Sequence, residues 1–309
     1  MDYRHVPVMV KEVIELLRPG AHKRYLDGTL GGGGHAAEVL NHSGPDGQVL
    51  GLDWDEEALA AAGERLNAFG ERLVARRANF TEAKEILHDI GWDRVHGVLL
   101  DLGLSSRHIE SGERGFSFQL TARLDMRMDR RQTFDAYRLV NTYPVSDLRR
   151  ILSDYGEEPA ARRIALAIDA ARKRKPVETT AELAGLVARV VGKRRGGIHP
   201  ATRTFQALRI AVNRELENLE SFLHDAYELL LPGGRMVVIS FHSLEDRLVK
   251  TAFRRWSKDC LCPPKTLFCR CGWNRKARLL TPRPLRPSRE EIQANPRARP
   301  AKLRAVERV

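Results

Sequence analysis

The N-terminal third of the chain alternates between short apolar runs and segments that favour helices, and no other feature of the sequence constrains the fold as strongly. Apolar runs predict strands at "RYLDG", at "GQVLGLDWD", at "RLVARRANF", which ends at Phe80, and at "HGVLLDLG". Helix formers fill the segments between them, as in "HAAEVLNHSG" and "EEALAAAGERLNAFG". Because strands joined through helices usually run parallel in one sheet, the sequence predicts a parallel α/β sheet.

This alternation stops between about Ser105 and Gly197, where helical patterns such as "PAARRIALAIDAARKRK" replace it. It resumes with a long amphipathic helix region, "TFQALRIAVNRELENLESFLHDAYELLLPGG", and the buried strand "RMVVISFH", and "AKLRAVER" predicts a last edge strand. We therefore expect one α/β domain formed by residues 1–108 and 200–309, with an inserted helical, substrate-recognition domain at residues 109–199.

Four consecutive glycines, Gly31–Gly34, follow the first predicted strand. A glycine-rich turn at this place lets a ligand approach the backbone and the start of the next helix. A phosphate-binding P-loop would need a lysine after the last glycine, but His35 and Ala36 stand there. The turn therefore does not predict ATP binding.

The acid ahead of the glycines gives the turn a different meaning. Asp27, Gly31 and Gly33 form D-x-x-x-G-x-G, which resembles the first motif of class I S-adenosylmethionine-dependent methyltransferases. The resemblance implies that the turn encloses a methionine portion and a ribose, with Asp53 holding the ribose hydroxyls and Phe80 near the adenine. Asp53 would equally suit a dinucleotide, and Phe80 would equally suit the core.

Basic residues outnumber acidic ones, with 52 Lys and Arg against 40 Asp and Glu and a formal net charge of +12 at pH 7. The excess favours a polyanion, nucleic acid first, although a basic surface can also serve solubility alone. Asp2, Arg4 and His5 stand where a signal peptide would begin its apolar run, and no stretch suits a membrane span. We expect a cytoplasmic protein with no membrane partner.

Seven motifs occur in order along the chain: "DGTLGGGGHA", "LLDLGLSS", "ERGFSF", "LDMRMD", "HPATRTFQALRI", "ISFHSLEDR" and "NPRAR". Through them almost the whole chain resembles the ribosomal small-subunit methyltransferase H family. The resemblance implies a class I, Rossmann-like sheet and transfer of a methyl group from S-adenosylmethionine to the exocyclic N4 of a cytosine. The cytosine would lie in the decoding region, at the P site, of 16S rRNA in the small ribosomal subunit. The family's cofactor contacts fall on Gly33, Gly34, His35, Asp53, Phe80, Asp101 and, where glutamine is common in the family, His108.

Candidate catalytic residues follow from the weak nucleophilicity of the cytosine amine, which has to be oriented and hydrogen-bonded rather than attacked by a covalent nucleophile. Asp101, Ser105 and Ser106 in "DLGLSS" stand where DNA amino-methyltransferases carry a polar motif with prolines and an aromatic. That motif is absent, so a DNA substrate is the less favoured alternative. His242 in "SFHSLEDR" is a further candidate for contact with the base, or else a structural histidine.

We expect the RNA contacts to be distributed over several aromatic and basic residues. Phe116 and Phe118 in "ERGFSF" could stack on an extruded base or pack inside the protein. Phosphate contacts are predicted for Arg194, Arg195, Arg203 and Arg209. A non-catalytic RNA-binding assembly factor is a second alternative, and the oligomeric state stays open, a homodimer included.

The chain has four cysteines, Cys260, Cys262, Cys269 and Cys271. Four clustered thiols suggest zinc, but the C-x-C spacing departs from the usual C-x2-4-C of structural sites. The resemblance requires no metal. We therefore assign no metal and keep a zinc site and reduced thiols as alternatives.

Overall fold

The computed structural model describes residues 7–103, 112, 114–192, 199–264, 266 and 268–309. The chain divides into an α/β unit, Met1–Gly103 with Glu217–Val309, and a helical unit, Leu104–Leu216. The described helices are, in chain order, α1 (Val10–Leu17), α2 (Gly34–His42), α3 (Glu56–Leu66), α4 (Ala83–Asp89), α5 (Ala136–Thr142), α6 (Val145–Asp154), α7 (Ala161–Arg172), α8 (Thr180–Val191), α9 (Thr202–Asn213), α10 (Glu215–Leu223), α11 (Ser243–Trp256) and α12 (Arg289–Ala294).

The α/β unit is built on a seven-stranded sheet in the order β3-β2-β1-β4-β5-β7-β6. Its strands are β1 (Arg24–Asp27), β2 (Gln48–Asp53), β3 (Leu73–Arg77), β4 (Val95–Asp101), β5 (Leu230–Ser240), β6 (Ala277–Leu279) and β7 (Lys302–Arg308). The first five run parallel, and β7 lies antiparallel between β5 and β6. This order confirms the predicted class I methyltransferase sheet.

Helices cover both faces of the sheet, so both sets of alternating strand side chains are buried. Tyr25 packs with Val13 of α1 on one face, whereas the next residue, Leu26, packs with Leu87 of α4 and Phe253 of α11 on the other. Burial of one such leucine contributes roughly 1.5–3 kcal/mol. The carboxyl ends of the strands are thereby held by packing from two sides.

Three details differ from the sequence predictions. Strand β3 ends at Arg77, so Phe80 opens a short 3₁₀ turn that Asn79 caps. Strand β7 is an interior strand, and the edge strand is β6, whose three residues are too few to give a sequence pattern. The predicted long helix breaks at Arg214, which takes a left-handed φ of 51° between α9 and α10.

The helical unit consists of α5–α9 and the start of α10. Asp135 caps α5, and Thr179 forms a capping box with Glu182 at α8. The predicted boundary at residue 199 puts α9 in the α/β domain, whereas α9 packs against α5 and α6 and groups with the helical unit. Among the described residues, no helix is long and apolar enough to cross a bilayer.

Candidate functional site

The turn after β1 links the carboxyl ends of three neighbouring strands. Leu30 N–H donates to the Leu52 carbonyl of β2 at 2.8 Å, and Gly31 N–H donates to Asp53 Oδ2 at 2.8 Å. On the other side, the Asp101 N–H at the end of β4 donates to Thr29 Oγ1 at 2.6 Å. The glycine turn is therefore fixed between β2 and β4, and it forms the floor of the candidate site.

The four positions of the turn differ in why glycine is found there. Gly31 and Gly33 have left-handed φ values of 52° and 74°. A Cβ on Gly33 would also lie 2.7 Å from Leu66 of α3, and one on Gly34 would lie 3.1 Å from Pro7. At Gly32, by contrast, no described atom lies within 4 Å of where a Cβ would be. The fold thus explains three of the glycines and leaves Gly32 as the one that keeps space open.

A pair of alanine variants separates these reasons. Gly33→Ala is expected to lower the free energy of unfolding by roughly 1–3 kcal/mol, because it adds both backbone strain and a clash. Gly32→Ala is expected to stay within about 0.5 kcal/mol of wild type, since its Cβ meets nothing. Urea unfolding of the two variants measures both values. Equal stability of the two would contradict this account.

Three polar side chains around the turn have buried atoms that are unsatisfied. Asp27 Oδ2, Asp101 Oδ1 and both ring nitrogens of His35 are buried without a hydrogen-bond partner among the described residues. The nearest approach is from His35 Nε2 to Asp101 Oδ2 at 3.5 Å, which is longer than a normal hydrogen bond. Buried polar atoms are rarely left unpaired, so this group marks a place where a polar ligand fits.

Burial shifts the titration of the same group. Desolvation raises the pKa of Asp27 from 3.8 to about 7, against the opposing effect of the nearby His35. For His35, burial lowers the pKa, but the carboxylates of Asp101 and Asp27 outweigh it and raise the pKa above its ordinary value. Burial therefore favours the neutral form of Asp27, whereas the nearby carboxylates favour the protonated form of His35.

Asp53 lies where the sequence predicts it, at the end of β2, and its carboxylate already orders backbone. Oδ2 accepts from Gly31 N–H at 2.8 Å and Oδ1 from Asp55 N–H at 2.9 Å. The capping residue of α3 is Asp55, whose side chain accepts from Glu57 N–H. Asp53 is thus not a helix cap, and its carboxylate orders the backbone at the end of β2.

Phe80 lies half-buried after β3, and its ring packs edge-on against Phe222 with centroids 5.3 Å apart. It therefore contributes to the core of the α/β unit, and its predicted contact with the cofactor adenine stays a prediction.

The structure gives His242 a structural role. His242 is the N-cap of α11, where its Nδ1 accepts from Glu245 N–H at 3.4 Å and the Glu245 carboxylate accepts from the N–H groups of Phe241 and His242. Its Nε2 lies 3.1 Å from Glu245 Oε1 but forms no hydrogen bond with a described residue. The interpretation of His242 as a structural histidine accounts for these contacts, and contact with a base stays a prediction.

In the helical unit the predicted RNA-contacting residues have internal partners. Phe116 is 7% exposed, and Phe118 stacks on His199 with centroids 4.4 Å apart. Arg209 forms a bidentate pair with Glu215, both at 2.8 Å, so a phosphate would have to compete with that carboxylate. Arg203 is exposed and donates to the Glu157 carbonyl at 2.7 Å.

Five predicted residues lie outside the described residues: Ser105, Ser106, His108, Arg194 and Arg195. Conversely, the structure brings in Thr29, which anchors Asp101, and the buried Glu245, which completes the cap of α11. The cap of α11 has a histidine where the S/T-x-x-E capping pattern has Ser or Thr, so "HSLE" does not reveal it, and a single threonine next to a glycine run gives no signal by itself.

Comparison with known proteins finds a matching family and similar proteins over almost the whole chain. The model of the MraW methylase family matches residues 2–309. Ribosomal RNA small subunit methyltransferase H of Thermomicrobium roseum is 52% identical over 305 residues, which cover 99% of this chain and 94% of that protein. The protein of the same name from Symbiobacterium thermophilum is 49% identical over 310 residues, covering 99% and 97%. A solved rRNA methylase from Streptococcus thermophilus is 11% identical and covers 97% of this chain and 93% of its own, with a TM-score of 0.39. The fold assignment rests on the strand order of the sheet.

Proposed function

The chain belongs to the MraW methylase family and is a methyltransferase, and from this premise we propose that it methylates the exocyclic N4 of a cytosine in the decoding region of 16S rRNA, with S-adenosylmethionine as methyl donor. Its relatives bear the name ribosomal RNA small subunit methyltransferase H, which supports the choice of RNA. The net charge of +12 suits the same polyanion.

The observation that carries the proposal is the group of unsatisfied buried acceptors beside the open glycine turn. S-adenosylmethionine presents an ammonium group and two ribose hydroxyls, which are donors that Asp27, Asp53 and Asp101 suit. Gly32 leaves space against the backbone, as a ligand in close approach requires. These residues fit the cofactor, whereas a phosphate would meet three carboxylates and no described lysine in the turn.

The residues of the chain have a limited chemical task. S-adenosylmethionine, when bound, supplies a methyl group that its sulfonium has already activated. The cytosine amine is a poor nucleophile, because its lone pair is delocalised into the ring, so the protein has to orient it and accept hydrogen bonds from it. We assign this to Asp101, whose buried Oδ1 is an acceptor at the end of β4 without a described partner.

Methyl transfer to small subunits that carry unmethylated 16S rRNA tests the proposal. With isotopically labelled S-adenosylmethionine, about one methyl group per subunit is expected, and mass spectrometry of RNA fragments should place it on the amine of one decoding-region cytosine. A variant with a change far from the glycine turn in the sequence, Asp89→Asn at an exposed acid of α4, should transfer at the wild-type rate.

Free 16S rRNA and duplex DNA serve as competing substrates in the same assay. Methylation of another base, or of DNA, would overturn the assignment. Binding of S-adenosylmethionine without transfer to any of the three substrates would instead favour the assembly-factor alternative.

A further inference from the structure

The segment between α11 and β6, residues 257–276, forms no hydrophobic core of its own with the residues that the structure describes. None of its described residues is buried, and Phe268 is 76% exposed. A stretch of this length that buries so little apolar surface cannot offset the entropy of ordering its backbone. Trp273 packs half-buried against Tyr227, but an interaction beyond this packing is needed to fix the conformation of the whole segment.

All four cysteines of the chain lie in this segment, and their sulfur atoms converge. Cys260 Sγ lies 3.5 Å from Cys269 Sγ and 3.6 Å from Cys271 Sγ, and Cys269 and Cys271 are also 3.6 Å apart. Cys262 Sγ lies 4.0 Å from Cys269 Sγ. All four sulfurs fall within 4.8 Å of one another.

These separations match a tetrahedral metal site. With metal–sulfur bonds of about 2.3 Å, the corners of a tetrahedron lie about 3.8 Å apart. The sulfurs are too far apart for disulfide bonds, which need about 2.05 Å. The observed spacing therefore suits a single ion held by four thiolates.

Backbone amides support the same arrangement. Cys262 N–H donates to Cys260 Sγ at 3.3 Å, Leu261 N–H donates to Cys271 Sγ at 3.3 Å and Arg270 N–H donates to Cys262 Sγ at 3.4 Å. Donors aimed at sulfur stabilise negative charge on it, and partners of this kind orient the ligands of metal sites. Lys258 and Arg270 are exposed on the same segment. Their positive charges would offset part of the net charge of −2 that four thiolates around one divalent ion would carry.

We propose that Cys260, Cys262, Cys269 and Cys271 bind one zinc ion as a tetrahedral tetrathiolate that holds the segment 257–276 in its folded conformation. The C-x-C spacing, which argued against zinc in the sequence, is compatible with the site because the sulfurs of both pairs lie within 4.8 Å of one another. Binding requires the thiolate forms, so it releases the thiol protons to solvent. The proposal is independent of methyl transfer.

Metal content of the full-length chain tests the site directly. The protein is purified under reducing conditions without chelators or a metal-affinity tag, and elemental analysis is expected to give one zinc per chain. The double variant Cys269→Ser with Cys271→Ser should fall below about a tenth of that value, since two ligands are lost. Phe268→Ala, which changes an exposed residue between the same cysteines, is the control and should keep one zinc.

Cobalt replacement gives a second measurement that does not depend on how the protein was prepared. Zinc-free, reduced wild-type protein titrated with Co²⁺ should develop thiolate-to-cobalt charge-transfer bands and the visible bands of a tetrahedral ion at one equivalent. The proposed site would be overturned if reduced protein, with all four thiols shown to be reactive, bound neither Zn²⁺ nor Co²⁺. Stoichiometric iron in place of zinc would overturn the choice of ion.

Discussion

Asp101→Ala is expected to lower kcat roughly 100- to 1000-fold, the loss seen when one preorganised polar contact to a reacting group is removed. The same variant should keep its free energy of unfolding within about 1 kcal/mol of wild type. The reason is that Asp101 is anchored through its backbone N–H, which donates to Thr29 Oγ1 and is unaffected by the change. Its carboxylate, with Oδ1 buried and unpartnered among the described residues, costs desolvation energy and adds little to the fold.

Single-turnover methyl transfer and urea unfolding measure the two quantities separately. Asp101→Asn keeps an oxygen acceptor and should fall between alanine and wild type in rate. Asp89→Ala, an exposed acid at the end of α4, should leave both rate and stability unchanged. Wild-type kcat in Asp101→Ala would exclude the role proposed for this carboxylate.

The second prediction sets stability against binding at Asp27. Asp27→Asn is expected to raise the free energy of unfolding of the cofactor-free protein at pH 8 by roughly 1–4 kcal/mol, and to weaken S-adenosylmethionine binding about tenfold or more. Asparagine retains the shape and the oxygen that accepts from Thr29 N–H at 3.1 Å. It removes a buried charge whose cost is visible in the raised pKa, about 7, of Asp27.

The sign of the pH dependence follows from that pKa. Because the Asp27 pKa is about 7 in the folded state and 3.8 ordinarily, the folded state binds more protons between these values. The Asp27 contribution to stability therefore declines as pH rises from about 4 to about 7. The raised pKa of His35 acts in the same direction, since stability from the protonated imidazole is lost as pH rises through its folded-state pKa. The gain from Asp27→Asn should be present at pH 8 and absent near pH 4.

Thermal unfolding at several pH values checks the stability half, and calorimetric titration with S-adenosylmethionine checks the binding half. Asp89→Asn removes an exposed charge from the same unit and is the control for both. If Asp27→Asn were more stable but bound S-adenosylmethionine with unchanged affinity, the proposed place of Asp27 in the cofactor site would be contradicted.

Much of the α/β unit could be read from the sequence. The runs that end at Asp27, Asp53 and Asp101 are β1, β2 and β4, and these acids stand at adjacent strand ends, because parallel strands bring their carboxyl ends to one edge. The elements that the sequence did not predict correctly are short or interrupted. Strand β6 has three residues, and the break at Arg214 lies inside a continuous amphipathic pattern.

Side-chain pairing was the part that the sequence left open. His242 and Arg209 are polar residues in motifs, and nothing in those motifs tells a ligand contact from the helix cap and the carboxylate pair found in the structure. The same holds for the cysteines, whose spacing along the chain argued against zinc while their spacing in the structure favours it.

The sequence by itself determined the order of strands and helices, the acids at the strand ends and the glycine turn, since these depend on local periodicity and on residues close in the chain. Only the tertiary structure decided which polar atoms are already satisfied, as at Asp53, and which are left for a ligand, as at Asp27 and Asp101. The physical reason is that a hydrogen bond between groups far apart in sequence forms only when their separation is correct to within a few tenths of an ångström. Packing of the whole sheet and its helices sets those distances.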